Sequence, residues 1–543
     1  MKADLILHHG RIFTCEAAQP WAEALLIREG RVALVGTNAD VTAAAGGGVP
    51  AIDLGGRMAL PGFCDAHVHL LNLGISRQIV NLRGVHSLEE AVGRVGERAR
   101  ATPPGRWVRG HGWDQNEWAK PSFPNRRSLD EAAPDNPVVL AHTSGHATWV
   151  NSRALALAGI NADTSDPAGG RIDRDPESGE PTGILFETAG QLVLAALPEL
   201  TAGERLEALK EAVRHAQSLG VTSAHDMGLG HRTLAALGKL RDEGELGLRV
   251  RAYLKRERLD EFIAEGLRTG DGDDLLSVGG AKFVADGALG SQTAFMLEPL
   301  EGQPDNYGVA VIPADELETL VQKALDADLA TAVHAIGDRA NRDALDVYEK
   351  MTARRGSLRL RIEHCQLLSP EDVARFAALG AVASVQPIHA TSDMHKADRV
   401  WGTRSAGAYA FRSLLDSGAR LAFGSDCPVE TMDVIAGIHA AVTRRRADGE
   451  PPTGWYPEQR LSLGEAVKGY TLGPAYAAGQ EALLGSLAPG KLGDVVVLSR
   501  DLFALTDPMD ILTAQVDLTV LGGRVVYERE VGGAASEDET ALP

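Results

Sequence analysis

Short apolar runs separated by turns rich in Gly and Pro dominate the first sixty residues. "ADLILHHGRIF", "EALLIREGRVALVG" and "AIDLGGRMALPG" read as β-strands. The far end repeats the pattern in "GDVVVLSRD", "DLTVLGG" and "RVVYERE". Two β-rich ends around one body predict a small β-sandwich domain composed of residues 1–60 and 485–543, because chain termini often lie close together. The closing "GGAASEDETALP" is small and acidic and is expected to be disordered.

Between these ends, apolar strand-length runs alternate with helical patterns. Eight runs stand out: "GFCDAHVH", "GVTSAHDM", "LRVRAYL", "GGAKFVAD", "ATAVHAI", "LRIEHCQ", "AVASVQP" and "LAFGSD". One intervening helix is predicted over residues 201–219, opened by the capping box Thr201-x-x-Glu204, with Leu206, Leu209, Val213 and Ala216 on one face. Ser369-Pro-Glu-Asp372 opens another. Eight β/α repeats in series predict an α/β chain whose residues 61–484 form a (β/α)8 TIM barrel. One connection is too long for the repeat. Residues 72–200 are expected to form an inserted subdomain after strand one, near the barrel mouth.

Composition narrows the class. The chain has 543 residues and 44% hydrophobic positions, ordinary for a soluble globular protein. A net charge of -20 disfavours nucleic-acid binding. The basic run Arg444–Arg446 sits beside Asp448 and Glu450 and is expected on a solvated helix face. No apolar stretch reaches membrane-spanning length, and the first residues lack the apolar core of a signal peptide. Cys15, Cys64, Cys365 and Cys427 form no CxxC pair, which predicts a reducing, cytoplasmic location. The terminal β-domain could support a homodimer.

The chemistry collects at the predicted strand ends, where a barrel of this type carries its function. Strand one ends with His67 and His69. A one-residue gap on an extended chain points both imidazoles to the same face. Lys282 lies on strand four, His334 on strand five and His364 on strand six. Asp426 ends strand eight. Each residue alone has an ordinary explanation as a turn former or a hydrogen-bonded core residue. Together, on one rim, they predict a metal site. Imidazole and carboxylate donors suit Zn²⁺, and also Mn²⁺, Fe²⁺ or Ni²⁺, and six donors suffice for two ions. Lys282 sits within a short apolar strand, and a lysine there needs a reason to be buried.

The motifs "LPGFCDAHVHL", "GWDQNEW", "SGHATWVNS", "KFVADGALGSQTA", "VHAIGDRA", "RIEHCQ" and "FGSDCPVE" resemble, in order and combination, amidohydrolase family 3, the YtcJ-like branch of the amidohydrolase superfamily. The resemblance covers nearly the whole chain. It implies a first ion on His67, His69 and Asp426 and a second on His334 and His364. It implies Lys282 as a bridging carbamate formed with CO2. It further implies a metal-activated hydroxide attacking a non-peptide C–N bond, amide, N-acyl or formamide-like, of a small molecule. Asp426 would be the general base that passes a proton to the leaving nitrogen. Esters, lactones and cyclic amides remain alternative substrates, and a non-catalytic metal-binding scaffold is the other reading. Trp113, Asp114, His142 and His146 in the insertion, with Gln386 and His389 after strand seven, are candidate substrate contacts. Asp286 is expected to hydrogen-bond behind the site. Asp338 and Arg339 are expected to pair with each other at a helix start. Cys64, Cys365 and Cys427 read as small buried residues beside the site.

Overall fold

All eight apolar runs become strands of one parallel sheet. These are β1 (Phe63–Val68), β2 (Val221–Leu229), β3 (Arg249–Lys255), β4 (Leu276–Val284), β5 (Thr331–Ala335), β6 (Leu360–His364), β7 (Val382–Val385) and β8 (Arg420–Phe423). The computed structural model describes residues 3–144 and 146–530, so the C-terminal tail lies outside the described residues. Every strand pairs with its neighbour in chain order. Beyond the last strand, Val68 and Cys427 form a parallel bridge. The Asp426 N–H donates to the His67 carbonyl at 2.7 Å. These two contacts bring the two edges of the sheet together into a barrel. Strands of such a sheet are covered on both sides, which is why they read as continuous apolar runs; every residue of β1 is buried.

Helices alternate with the strands. Helix α1 (Ala202–Ser218) precedes β2 and buries Ala208, Leu209, Ala212, Val213 and Ala216. Thr201 and Glu204 cap it reciprocally: Glu204 N–H donates to Thr201 Oγ1 at 3.2 Å, and Thr201 N–H donates to Glu204 Oε2 at 2.8 Å. Helices α2 (Ala314–Asp326), α3 (Asp338–Met351) and α4 (Pro370–Leu379) follow β4, β5 and β6.

Gly424 shows how tightly the seam between β8 and β1 is drawn. A Cβ at Gly424 would lie 2.4 Å from the His67 backbone nitrogen and 2.9 Å from the Asp65 carboxylate. Only glycine permits that approach, and it carries Asp426 up to the end of β1.

Strands from the two termini share one sheet. Met58–Pro61 pairs antiparallel with Val495–Leu498, in a six-stranded sheet that also holds Arg11–Phe13 and Val516–Leu521. A four-stranded sheet of Leu5–His8, Ala24–Arg28, Arg31–Gly36 and Ala51–Asp53 accompanies it. Leu7, Leu25 and Ile27 of the smaller sheet share a core with Val495, Val497 and Leu518 of the larger. These strands and the barrel fall in one compact unit. Within it, Arg249 of β3 donates to both oxygens of Asp494, at 2.6 and 2.8 Å, with both side chains buried.

The second compact unit takes Gly74–Glu204, close to the insertion expected at residues 72–200. It has its own six-stranded sheet. Its core includes Trp113, Trp149, Leu140 and Ile184.

The basic run Arg444–Arg446 departs from expectation. Arg444 is fully buried, not solvated. It caps helix Val434–Thr443 with φ at 57°. That turn sends its side chain inward. Its guanidinium donates to the carbonyls of Trp455 (2.9 Å) and Tyr409 (3.0 Å) and lies over the rings of Phe411 and Trp455. Two carbonyls and two π-faces replace water there. Arg446 alone keeps an exposed partner, Asp448.

Candidate metal centre and active site

The barrel mouth gathers His67, His69, His364 and Asp426. Asp426 Oδ1 lies 3.5 Å from His67 Nε2 and 3.2 Å from His69 Nε2. The donor atoms of His67, His69 and Asp426 all lie within 4.8 Å of one another, and so do those of His364, His389 and Asp426. The His364 ring stands 4.7 Å from that of His67 and 4.5 Å from that of His334, centre to centre. Two candidate ligand positions use uncommon backbone: φ is 75° at His364 and 60° at Asp426. In a continued strand His364 would face opposite to Glu363. The left-handed turn re-aims it, a strain typical of functional positions.

Hydrogen bonds fix which nitrogen of each imidazole is free. His67 Nδ1–H donates to Glu363 Oε2 at 2.7 Å. His69 Nδ1–H donates to the Met227 carbonyl at 2.9 Å, and His364 Nδ1–H to Gln386 Oε1 at 2.9 Å. Each of the three keeps its Nε2 lone pair. His334 is the reverse, since its Nε2–H donates to the Gly287 carbonyl at 2.9 Å and leaves Nδ1. Burial pulls His67 and His334 down to about 4, helped by the positive charge of Lys282. Both are therefore neutral near pH 7. Burial would raise the Asp426 carboxyl, but the neighbouring imidazoles of His67, His69 and His364 outweigh it and hold it well below the usual range. Burial would lower His69, but the hydrogen bond and charge of Asp426 outweigh it and raise it, so the ionised carboxylate facing two imidazole nitrogens calls for a positive charge among them, a proton or a metal cation. The donor set fits a divalent ion of the zinc type.

Lys282 reaches the same interior. It is buried, and its Nζ has no hydrogen-bond partner among the described residues. Burial lowers its ammonium to about 8, against the opposing pull of Glu363 and Asp426. An uncharged amine is therefore accessible near neutral pH.

Behind the mouth lies a network absent from the sequence reading. Arg361 is fully buried and donates to Glu363 Oε1 (2.5 Å), His225 Nδ1 (2.9 Å), Tyr253 Oη (3.2 Å), Ser384 Oγ (2.7 Å) and the Ala66 carbonyl (2.6 Å). It thus ties together β6, β2, β3, β7 and β1. Burial would raise Glu363, but the Arg361 charge and the His67 N–H hold it well below the normal range. Asp65 adds a second tie, accepting from Ser425 Oγ at 2.5 Å and from the His67 N–H at 3.0 Å. The signal was present in "LRIEH": two charges two residues apart in a strand buried on both faces share one face and call for partners there.

The remaining expected residues fall in two regions. Asp286 is buried and accepts N–H groups from Phe295, Ile336 and Gly337 at 2.9–3.0 Å. It lies 3.4 Å from His334 Nε2. Gln386 and His389 are both buried, Gln386 against His364 and His389 with its Nε2 unpartnered. Asp338 and Arg339 do not pair with each other. Asp338 accepts the Leu297 N–H at 2.8 Å, and Arg339 pairs with Asp343 one helical turn on. In the second unit, Trp113 is buried edge-on to His142. Asp114 lies 3.7 Å from His142. His146 is exposed and pairs with Glu187 at 3.1 Å.

A parallel barrel that presents histidines and an aspartate around one point at its strand ends defines a metal-dependent hydrolase. The chain belongs to the amidohydrolase family, whose model matches residues 51–527. It is similar to the Arabidopsis thaliana protein LONG AFTER FAR-RED 3, at 36% identity over 97% of this chain and 92% of that protein. It is 33% identical to YtcJ of Bacillus subtilis, over 97% of this chain and all of that one. It is 29% identical to the N-substituted formamide deformylase of Arthrobacter pascens, over 97% of this chain and 98% of that one. Among solved structures, an uncharacterised metal-dependent hydrolase from Pyrococcus furiosus superposes with a TM-score of 0.77 at 33% identity, covering 92% of this chain and 99% of that one. No helix among the described residues is long and apolar enough to cross a membrane.

Proposed function

We propose that this chain hydrolyses a non-peptide C–N bond of a small molecule: an amide, N-acyl or formamide-like group. The observation that carries the reading is the convergence of the free Nε2 atoms of His67 and His69 on the Asp426 carboxylate. Likeness to an N-substituted formamide deformylase supports the choice of bond. His67, His69 and Asp426 would hold one divalent ion, most simply Zn²⁺, with His334 and His364 available to a second. When bound, such an ion supplies Lewis acidity, acidifying the attacking water and polarising the substrate carbonyl. Asp426, ionised at neutral pH, takes the proton of the attacking water and returns it to the departing nitrogen. His334 and His364, neutral and on the same rim, orient the carbonyl where they are not engaged as ligands.

The proposal extends to Lys282. Its neutral amine adds to CO2, forming an N–C bond and releasing a proton. The resulting carbamate is an anion with two oxygen donors. Such a group removes the difficulty of a buried, unpartnered ammonium beside dications.

The test is to measure metal per chain and then to screen N-acyl, formamide, cyclic-amide and ester substrates with and without chelator. The expected result is chelator-sensitive turnover on N-acyl or formamide substrates. Bound metal without turnover on any class sinks the hydrolase reading and favours a scaffold. Turnover confined to esters overturns the choice of bond, and turnover confined to cyclic amides overturns the N-acyl and formamide assignment.

A further inference from the structure

A second cluster of metal-type donors lies on the terminal sheets, outside the barrel. His8 Nδ1 stands 3.2 Å from His9 Nδ1, and His9 Nδ1 stands 3.0 Å from Asp53 Oδ2. All three atoms lie within 4.8 Å of one another. Side chains of consecutive residues in an extended strand point to opposite faces. Here His9 has φ at 54°, and this left-handed turn at the strand end swings its ring back beside that of His8.

The cluster is held by its backbone. His8 and Asp53 are register partners on parallel strands. The His8 carbonyl accepts the Leu54 N–H, and the His9 carbonyl accepts the Gly56 N–H. His9 N–H donates to Asn38 Oδ1 at 2.8 Å. Asp53 commits Oδ1 to the Gly55 N–H at 2.8 Å, which leaves Oδ2 facing the imidazoles.

An ordinary ion pair explains the geometry only in part. His9 Nδ1 carries one proton at most, and Asp53 takes it. His8 Nδ1 is then left 3.2 Å from a nitrogen already engaged. Donors of a tetrahedral zinc site, with Zn–N of about 2.0–2.1 Å, stand roughly 3.3 Å apart. The contacts here are of that size, and both ring and carboxylate are about half exposed, with open approach from solvent.

We infer that His8, His9 and Asp53 form a surface site for a borderline divalent transition ion of the zinc class, distinct from the barrel centre. Two imidazoles and one carboxylate favour Zn²⁺, Cu²⁺ or Ni²⁺ over Mg²⁺ and Ca²⁺, which prefer all-oxygen shells. An ion there would pin the first strand to the turn at residues 53–57 and stabilise the terminal sheets by linkage.

The experiment uses the full, untagged chain, dialysed against micromolar free Zn²⁺, with zinc per chain measured for wild type, His8→Ala and Asp53→Asn. The expected result is one zinc fewer in each variant, with the catalytic activity of wild type retained. His67→Ala should leave the zinc difference between His8→Ala and its parent intact. Ni²⁺ should displace the ion, and millimolar Mg²⁺ should not. Equal zinc in all three proteins overturns the site. Loss in His8→Ala alone overturns the role of Asp53, and displacement by Mg²⁺ overturns the assigned chemistry. Asp53→Asn is isosteric, so it tests the site even if His8→Ala fails to fold.

Discussion

The Glu363 carboxylate accepts the Nδ1–H of His67 at 2.7 Å, and both side chains are within 1% of complete burial. That single contact decides which nitrogen His67 offers to the mouth. Arg361 keeps Glu363 ionised and in place. Glu363→Gln keeps the shape but loses the charge. It is expected to weaken metal retention by roughly 10–100-fold, read by chelator competition, with the circular dichroism spectrum unchanged. Wild-type affinity in a folded Glu363→Gln protein would remove the Glu363 charge from any role in metal retention.

Lys282 offers a sharper test of the carbamate. Metal-stripped protein is expected to regain activity faster when bicarbonate accompanies the metal, and Lys282→Ala is expected to lose bound metal and activity together. Reconstitution indifferent to bicarbonate, or a fully active Lys282→Ala, would exclude a bridging carbamate.

The cysteines are expected to be chemically quiet. All four are buried. Burial pushes Cys15 and Cys64 up to about 12 and holds Cys365 well above the usual thiol range. A thiol that stays protonated and covered neither attacks nor ligates readily. Native protein should resist maleimide, and denatured protein should take up four labels. Rapid labelling of Cys64 in the native state would contradict the burial argument.

A pH effect is expected from Arg412 and Glu465. The Arg412 hydrogen bond pulls the half-buried Glu465 carboxyl down to about 2. An unfolded glutamate titrates near 4.3, to order of magnitude. A depressed carboxylate stabilises the fold above its unfolded value, and that contribution is lost as pH falls through its folded value. The melting temperatures of wild type and Arg412→Ala should differ at pH 6 and converge as the pH approaches about 2. A gap that stays constant over this range would show that the pair adds nothing through ionisation.

Much of the fold was legible because parallel strands covered on both faces leave unbroken apolar runs. All eight were readable, from "GFCDAHVH" to "LAFGSD". The residues gathered at the mouth were legible too, since strand order puts each run's C-terminal end on one rim. Arg361 and Glu363 escaped notice because each interacts with strands far away in sequence. Arg444 was misread for the same reason. In the chain it sits in a charged run, and in space two aromatic rings and two carbonyls enclose it.

The sequence by itself determined the barrel and the chemical types at the strand ends, because periodicity and strand order are local or additive properties. Only the tertiary structure decided which imidazole nitrogen is free, how a left-handed turn re-aims His364, and that the Lys282 amine has no hydrogen-bond partner among the described residues. Those depend on hydrogen bonds and close approaches between strands, such as Gly424 against His67, which no single stretch of the chain contains.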